Sequence, residues 1–152
     1  MLNLNDKLLV HKACLDHVNK SLDVYQKGIK DAQNGLQSES KSSAGDKHET
    51  GRAMLQLEAE KLGAQYQETL KTYTFIKQLN HTEQHTTIQL GSLIETNIGL
   101  FYICSGIGSI HVLSKNVFVL SPIAPLSKIL ISKRVQDTFT FNRKNISIIS
   151  VI

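Results

Sequence analysis

Gly45-Asp46-Lys47-His48-Glu49 decides how the chain folds, because it stands between two long segments that each read as a helix. Before it runs Ser38-Glu39-Ser40-Lys41-Ser42-Ser43-Ala44, which has no large apolar residue. After it comes Met54-Leu55-Gln56-Leu57-Glu58-Ala59-Glu60-Lys61-Leu62, rich in strong helix formers. The chain therefore climbs one helix, turns at a polar tip near 38–49 and descends another. Asp46 and Glu49 are three apart, and on a helix that spacing shares a face. The pair has two readings. Asp46 is an N-cap with Glu49 as its capping-box partner, or the two acids reach a remote metal or basic site.

The first helix carries a seam with alternating steps of three and four: Leu8, His11, Leu15, Val18, Leu22, Tyr25, Ile29, Ala32 and Leu36. That period keeps one face against a partner helix. Gly28 and Gly35 each weaken a helix by about 1 kcal/mol relative to Ala, so fraying toward the tip is expected. The second helix has a looser seam at Leu55, Ala59, Leu62, Tyr66, Thr69, Tyr73 and Ile76. Neither segment contains proline, and the two seams are of similar length. An antiparallel hairpin over roughly 5–79 follows. Arms of about 30 residues reach on the order of 45 Å, which suits contact with something large better than enclosure of a small ligand. His11 reads as a residue at the edge of the seam.

Asn80-His81-Thr82-Glu83-Gln84-His85-Thr86-Thr87 breaks both periods and reads as a linker. His81 and His85 lack the companion ligands a metal site needs. Beyond it the pattern changes to short runs of strand formers: 88–90, 92–96, 99–104, 109–113 and 117–120. Gly106-Ile107-Gly108 is a turn, without the spacing of a nucleotide fingerprint. Ser121 and Pro122 suit the start of a short helix with Ile123, Leu126 and Leu130 on its apolar face. Runs at 137–141 and 146–152 flank the turn Asn142-Arg143-Lys144-Asn145 and form a closing hairpin. The fold class is α+β: a helical hairpin over 1–80, then a globular domain over 86–152 with an antiparallel sheet on one helix.

Composition agrees with a folded chain. Of 152 residues, 41% are hydrophobic and 20% charged, which sets it apart from disordered sequences. No apolar run is long enough for a transmembrane helix, and no signal peptide is read at the start. Cys14 and Cys104 lack metal-ligand spacing and read as free thiols of a reducing cytoplasm. The net charge is +4. Residues 1–80 hold 11 basic and 10 acidic side chains, whereas 81–152 hold 6 and 3, so the excess lies in the second half. No nucleophile–base set or phosphate loop marks an autonomous enzyme.

Two stretches resemble the bacterial Gre-type transcription elongation factors. Gly45-Asp46-x-x-Glu49 at the opening of the second helix is similar to the acidic tip of that family. The stretch from Ser121-Pro122-Ile123-Ala124-Pro125 through Lys128, Lys133, Arg134 and Val135 to Asp137 is similar to its C-terminal domain. The order of parts agrees over nearly the whole chain. The resemblance implies an FKBP-like globular domain that docks on RNA polymerase through 121–135, with Ser121, Pro122, Lys128, Lys133 and Arg134 at the contact. It implies that the hairpin enters the secondary channel, where Asp46 and Glu49 hold a Mg²⁺ ion jointly with the polymerase, beside the nascent RNA 3′ end. The polymerase then hydrolyses its own backtracked transcript. A cytoplasmic monomer is expected. The chain departs from the family at Thr50-Gly51-Arg52-Ala53, at Lys47, and at Ser127 and Gln136, which replace usual glycines. Lys47 and Arg52 place positive charge at the tip, where they are candidates for RNA phosphate contacts. Two alternatives remain open: a secondary-channel regulator without cleavage activity, and a coiled-coil adaptor for another helical partner.

Overall fold

A computed structural model describes residues 1–40 and 45–152, with backbone alone at 39–40 and 45–48. Among them are α1 (Leu4–Ser40), α2 (Gly45–Gln78), β1 (Leu93–Thr96), β2 (Gly99–Ile103), β3 (Gly108–Val112), β4 (Lys115–Leu120), α3 (Pro125–Leu130), β5 (Thr138–Phe141) and β6 (Lys144–Val151). The α+β class stands. The turn expected at 41–44 lies outside the described residues. No helix among those described is long and apolar enough to cross a membrane.

The chain forms two compact units: Val18–Thr74, and a second made of Met1–His17 with Phe75–Ile152. The partition falls inside the helices and not at the polar segment 80–87. That segment belongs to the sheet unit, as do the first turns of α1.

In the helical unit, 18–40 and 45–74 pair in antiparallel fashion. A Cβ on Gly28 would lie 2.8 Å from Leu62 Cδ1, and one on Gly35 would lie 3.0 Å from Leu55 Cδ1. The contacts step seven residues up α1 and seven residues down α2, one heptad each way. The glycines expected to fray the helix are thus the holes that receive two leucine knobs. Their cost in propensity is offset by close approach.

In the sheet unit, α1 starts with a reciprocal cap. The Asn3 N–H donates to Asp6 Oδ2 at 2.9 Å, and the Asp6 N–H donates to Asn3 Oδ1 at 3.2 Å. The buried stripe then runs Lys7, Val10, His11 and Cys14, whereas Leu8 and Leu15 are only half-buried. The expected seam is thus rotated by one residue in these turns.

The strand order is β3-β4-β2-β1-β6-β5. The sheet is mixed, not wholly antiparallel as expected, because β2 and β4 run parallel, Leu100 beside Val117 through Ile103 beside Leu120. A parallel pair needs a crossover. Here the chain leaves β2, forms the edge strand β3, and returns as β4 between them. The β3–β4 hairpin turns at Leu113 and Ser114, with φ of 60° and 57°, and β5–β6 turns at Asn142 and Arg143, with φ of 49° and 63°. Positive φ at both central residues matches the right-handed twist of the strands.

Alternation along β2 separates two faces. Phe101 and Ile103 join Ile88, Ile94, Leu130, Ile148 and Val151 in the core cluster that includes α3. Tyr102 points the other way, toward α1. Burial on both faces explains why β2 reads as one apolar run. The expected strand at 88–90 is instead a single bridge, Thr87 to Arg134, followed by a turn at Gly91. Gly91 has φ 87°, and a Cβ there would meet the Asn80 carbonyl at 2.8 Å.

The knob contacts generate a sign test. Gly28→Ala gains about 1 kcal/mol of helix propensity but overpacks Leu62, at about 1–3 kcal/mol. It should destabilise the native chain and stabilise the Leu62→Ala background, by about 1 kcal/mol each way. Urea unfolding of the four proteins measures this. An equal effect in both backgrounds would contradict the packing.

Candidate functional site

The hairpin end of α2 carries the acids singled out in the sequence. The helix starts at Gly45, so Asp46 stands in its first turn and not at the N-cap. The side chains of Asp46 and Lys47 lie outside the described residues. Glu49 is exposed, and so is Arg52, three positions on and on the same face. Acids in the first turns complement the positive end of the helix dipole. Among the described residues, no group of three or more His, Cys, Asp or Glu side chains could hold a metal ion.

The second candidate region, 121–135, is built differently from expectation. Helix α3 begins at Pro125 with Ala124 as its N-cap, without a side-chain cap bond. The second proline takes the first helical position. Ser121 closes the turn before it: its Oγ accepts the Ile123 N–H at 3.3 Å and its carbonyl accepts the Ala124 N–H at 3.0 Å. Ser121 and Pro122 are half-buried, while Ile123 is 76% exposed and so is not part of a buried helix face. Leu126 is half-buried and Leu130 fully buried against the core cluster.

Lys128 and Arg134 are exposed. Lys133 Nζ lies 5.5 Å from the centre of the Phe139 ring, within cation–π range. The backbone there is pinned on both sides. Ile88 N–H donates to the Lys133 carbonyl at 2.9 Å, and Arg134 N–H donates to Asp137 Oδ2 at 2.7 Å. This holds Lys128, Lys133 and Arg134 on one short stretch. Gln136 has φ 75°, a left-handed conformation that favours glycine.

Sequence reasoning missed a buried polar cluster. Lys7 has no exposed surface, and its Nζ donates to the Glu83 carbonyl. One turn on, His11 Nδ1 lies 2.8 Å from the Tyr102 hydroxyl, and its ring stacks on His81 with centroids 3.8 Å apart. His85 Nδ1 lies 2.7 Å from Ser92 Oγ, which in turn accepts the Gln89 N–H at 3.0 Å.

Burial pushes the His11 imidazole down to about 4, helped by His81 and Lys7 and opposed by the Ile76 carbonyl. Burial likewise pushes the Lys7 ammonium down to about 8 against the pull of Glu83, and lowers His85, with Lys7 adding to the effect and Glu83 opposing it. With the Tyr102 hydroxyl donating to Nδ1, His11 carries its own proton on Nε2, which is buried without a partner within hydrogen-bond distance. The thiols of Cys14 and Cys104 are both buried and pushed up to about 12, chiefly by desolvation, which makes them poor nucleophiles. A signal was present in the sequence: Lys7, His11 and Cys14 follow i, i+4, i+7 and share one helix face. Comparison with protein-family models gives no match, and comparison with curated proteins gives none.

Ser127 is fully buried, and its hydroxyl has no hydrogen-bond partner. An unsatisfied buried hydroxyl costs about 1–3 kcal/mol. Ser127→Ala should therefore raise stability by about 1 kcal/mol in thermal unfolding. A loss of stability would show that the hydroxyl is satisfied.

Proposed function

We propose that this chain is a Gre-like elongation factor that binds bacterial RNA polymerase at its secondary channel and promotes cleavage of backtracked transcripts. The observation that carries the reading is the antiparallel helix pair whose second helix opens on Gly45-Asp46-x-x-Glu49, with Glu49 exposed. A helical unit with about 30 residues in its second arm spans on the order of 45 Å, and its buried surface is spent on its own seam. Glu49 at its end is exposed.

The sheet unit supplies the anchor. A mixed sheet with one short helix on its face supports an FKBP-like reading, and Lys128, Lys133 and Arg134 supply the basic contact. Two carboxylates suit Mg²⁺, which takes oxygen ligands and is often bound by one or two carboxylates plus phosphate. Held jointly with the polymerase, the ion would stabilise charge on the attacking and leaving oxygens. Asp46 and Glu49 hold and orient; the polymerase performs the hydrolysis. The setting is the cytoplasm, and the factor acts as a monomer.

A second reading is favoured by one observation. Arg52 is exposed on the Glu49 face, and with Lys47 it sets positive charge where a cation is to bind. In that reading the chain occupies the channel without promoting cleavage.

A transcript-cleavage assay on a stalled elongation complex tests the proposal. Asp46→Asn and Glu49→Gln should each lower stimulated cleavage about tenfold or more, equivalent to at least about 1.4 kcal/mol of barrier, with unfolding temperatures unchanged. Equal activity of the variants and the native chain would show that these acids take no part in cleavage. Charge reversal at Lys133 and Arg134 should weaken polymerase binding more than the tip variants do. No stimulation by the native chain, with retained competition against a cleavage factor, would favour the second reading.

A further inference from the structure

The cluster of buried Lys7, His11 and His85 with half-buried His81 concentrates four basic side chains on one side of the sheet. Each side of it is accounted for. From α1 come Lys7, His11 and the Cys14 thiol, and from the end of α2 the Ile76 carbonyl. From 80–87 come His81, Glu83 and His85, and from the sheet Ser92, Tyr102 and Cys104. Among the groups acting on the cluster, Glu83 supplies the carboxylate, and Glu83 is exposed. Its backbone carbonyl, not its charge, receives Lys7.

Besides the Lys7 bond, the contacts that hold the first turns of α1 to the sheet are made by the His11 ring: the Tyr102 hydroxyl at Nδ1 and the flat stack on His81. Proton uptake by His11 leaves the Tyr102 hydroxyl able to accept from Nδ1, but it sets a buried cation with an unpartnered Nε2 against a second ring and a buried ammonium.

We infer that this cluster is a proton-operated latch: acid releases the first turns of α1 and the 80–92 segment from the sheet, while the α3 face of the sheet stays folded. The geometry makes the release local. The core cluster of Ile94, Phe101, Ile103, Leu130 and Ile148 lies on the opposite face of β2 and contains no titratable side chain.

The sign of the pH dependence follows from the two shifted groups. His11 is held near 4 against an ordinary 6.5, so between these values the released chain binds more protons and closure weakens as pH falls. Lys7 is held near 8 against an ordinary 10.5, so between those values closure strengthens as pH rises. Both groups favour the closed latch at higher pH.

Hydrogen exchange on the full chain at pH 7.5 and pH 5, corrected for intrinsic rates, tests the inference. Amides of 4–17 and 80–92 should lose protection at pH 5 about tenfold more than those of β2 and β6. His11→Gln, which keeps an acceptor for Tyr102 and does not titrate, should remove most of that difference. Lys7→Met should raise the His11 midpoint, read by NMR from the ring proton, by about one pH unit. His81→Phe keeps a stacking ring and should also raise it. Should the glutamine variant fail to fold, the wild-type ring titration and the Lys7→Met shift still decide. A wild-type His11 midpoint near 6.5, a midpoint unmoved by Lys7→Met, or uniform loss of protection across the sheet would each overturn the latch.

Discussion

A single buried stripe along α1 must be covered over most of the helix, and each compact unit covers its own part. In the helical unit the stripe narrows to glycine where Leu55 and Leu62 enter. In the sheet unit it turns polar: Lys7 and His11 sit where leucine would serve a simple coiled coil. The change of chemistry along one helix face marks the change of partner. Apolar knobs suit another helix, whereas hydrogen-bonding groups suit a sheet face that presents a tyrosine hydroxyl.

Burying Lys7 and His11 is costly unless their polar atoms are satisfied. The chain meets part of that demand with groups distant in sequence and leaves His11 Nε2 buried without a partner within hydrogen-bond distance. Lys7 reaches the carbonyl of Glu83, 76 residues on, and His11 reaches Tyr102, 91 residues on. An apolar residue at position 7 would bury as easily but would give 80–87 no reason to close over the helix. The polar contacts therefore fix where the returning chain lies, and the same contacts make its closure sensitive to protons.

The helices were legible because their pattern is local and long. Steps of three and four over thirty residues leave one solution, and the antiparallel pairing follows from a single polar interruption. The strands were legible as segments and less so as a topology. The parallel β2–β4 pair depends on β3 lying outside β4, which no local pattern encodes. Position 7 drew no reading because Leu8 is the more apolar neighbour, and only the sheet decides which of the two turns inward. The segment 80–87 read as a linker because polarity is the usual mark of solvent; here its histidines and one carbonyl are what a buried lysine and a second ring require. The helix at α3 started three residues late because two prolines competed for the first helical position, and Ser121 caps the turn before it.

As proposed, the end of α2 that begins at Gly45 reaches the catalytic centre of RNA polymerase, and proximity cross-linking tests that. Cys14 and Cys104 are fully buried, so a Glu49→Cys variant presents one accessible thiol for a short photoreactive cross-linker. Bound to a stalled bacterial elongation complex, it should cross-link to polymerase residues beside the catalytic metal and to the RNA 3′ end, and excess native chain should suppress both products. Cross-links confined to the outer surface of the polymerase, or none while a label at Lys128 still reacts, would contradict the account.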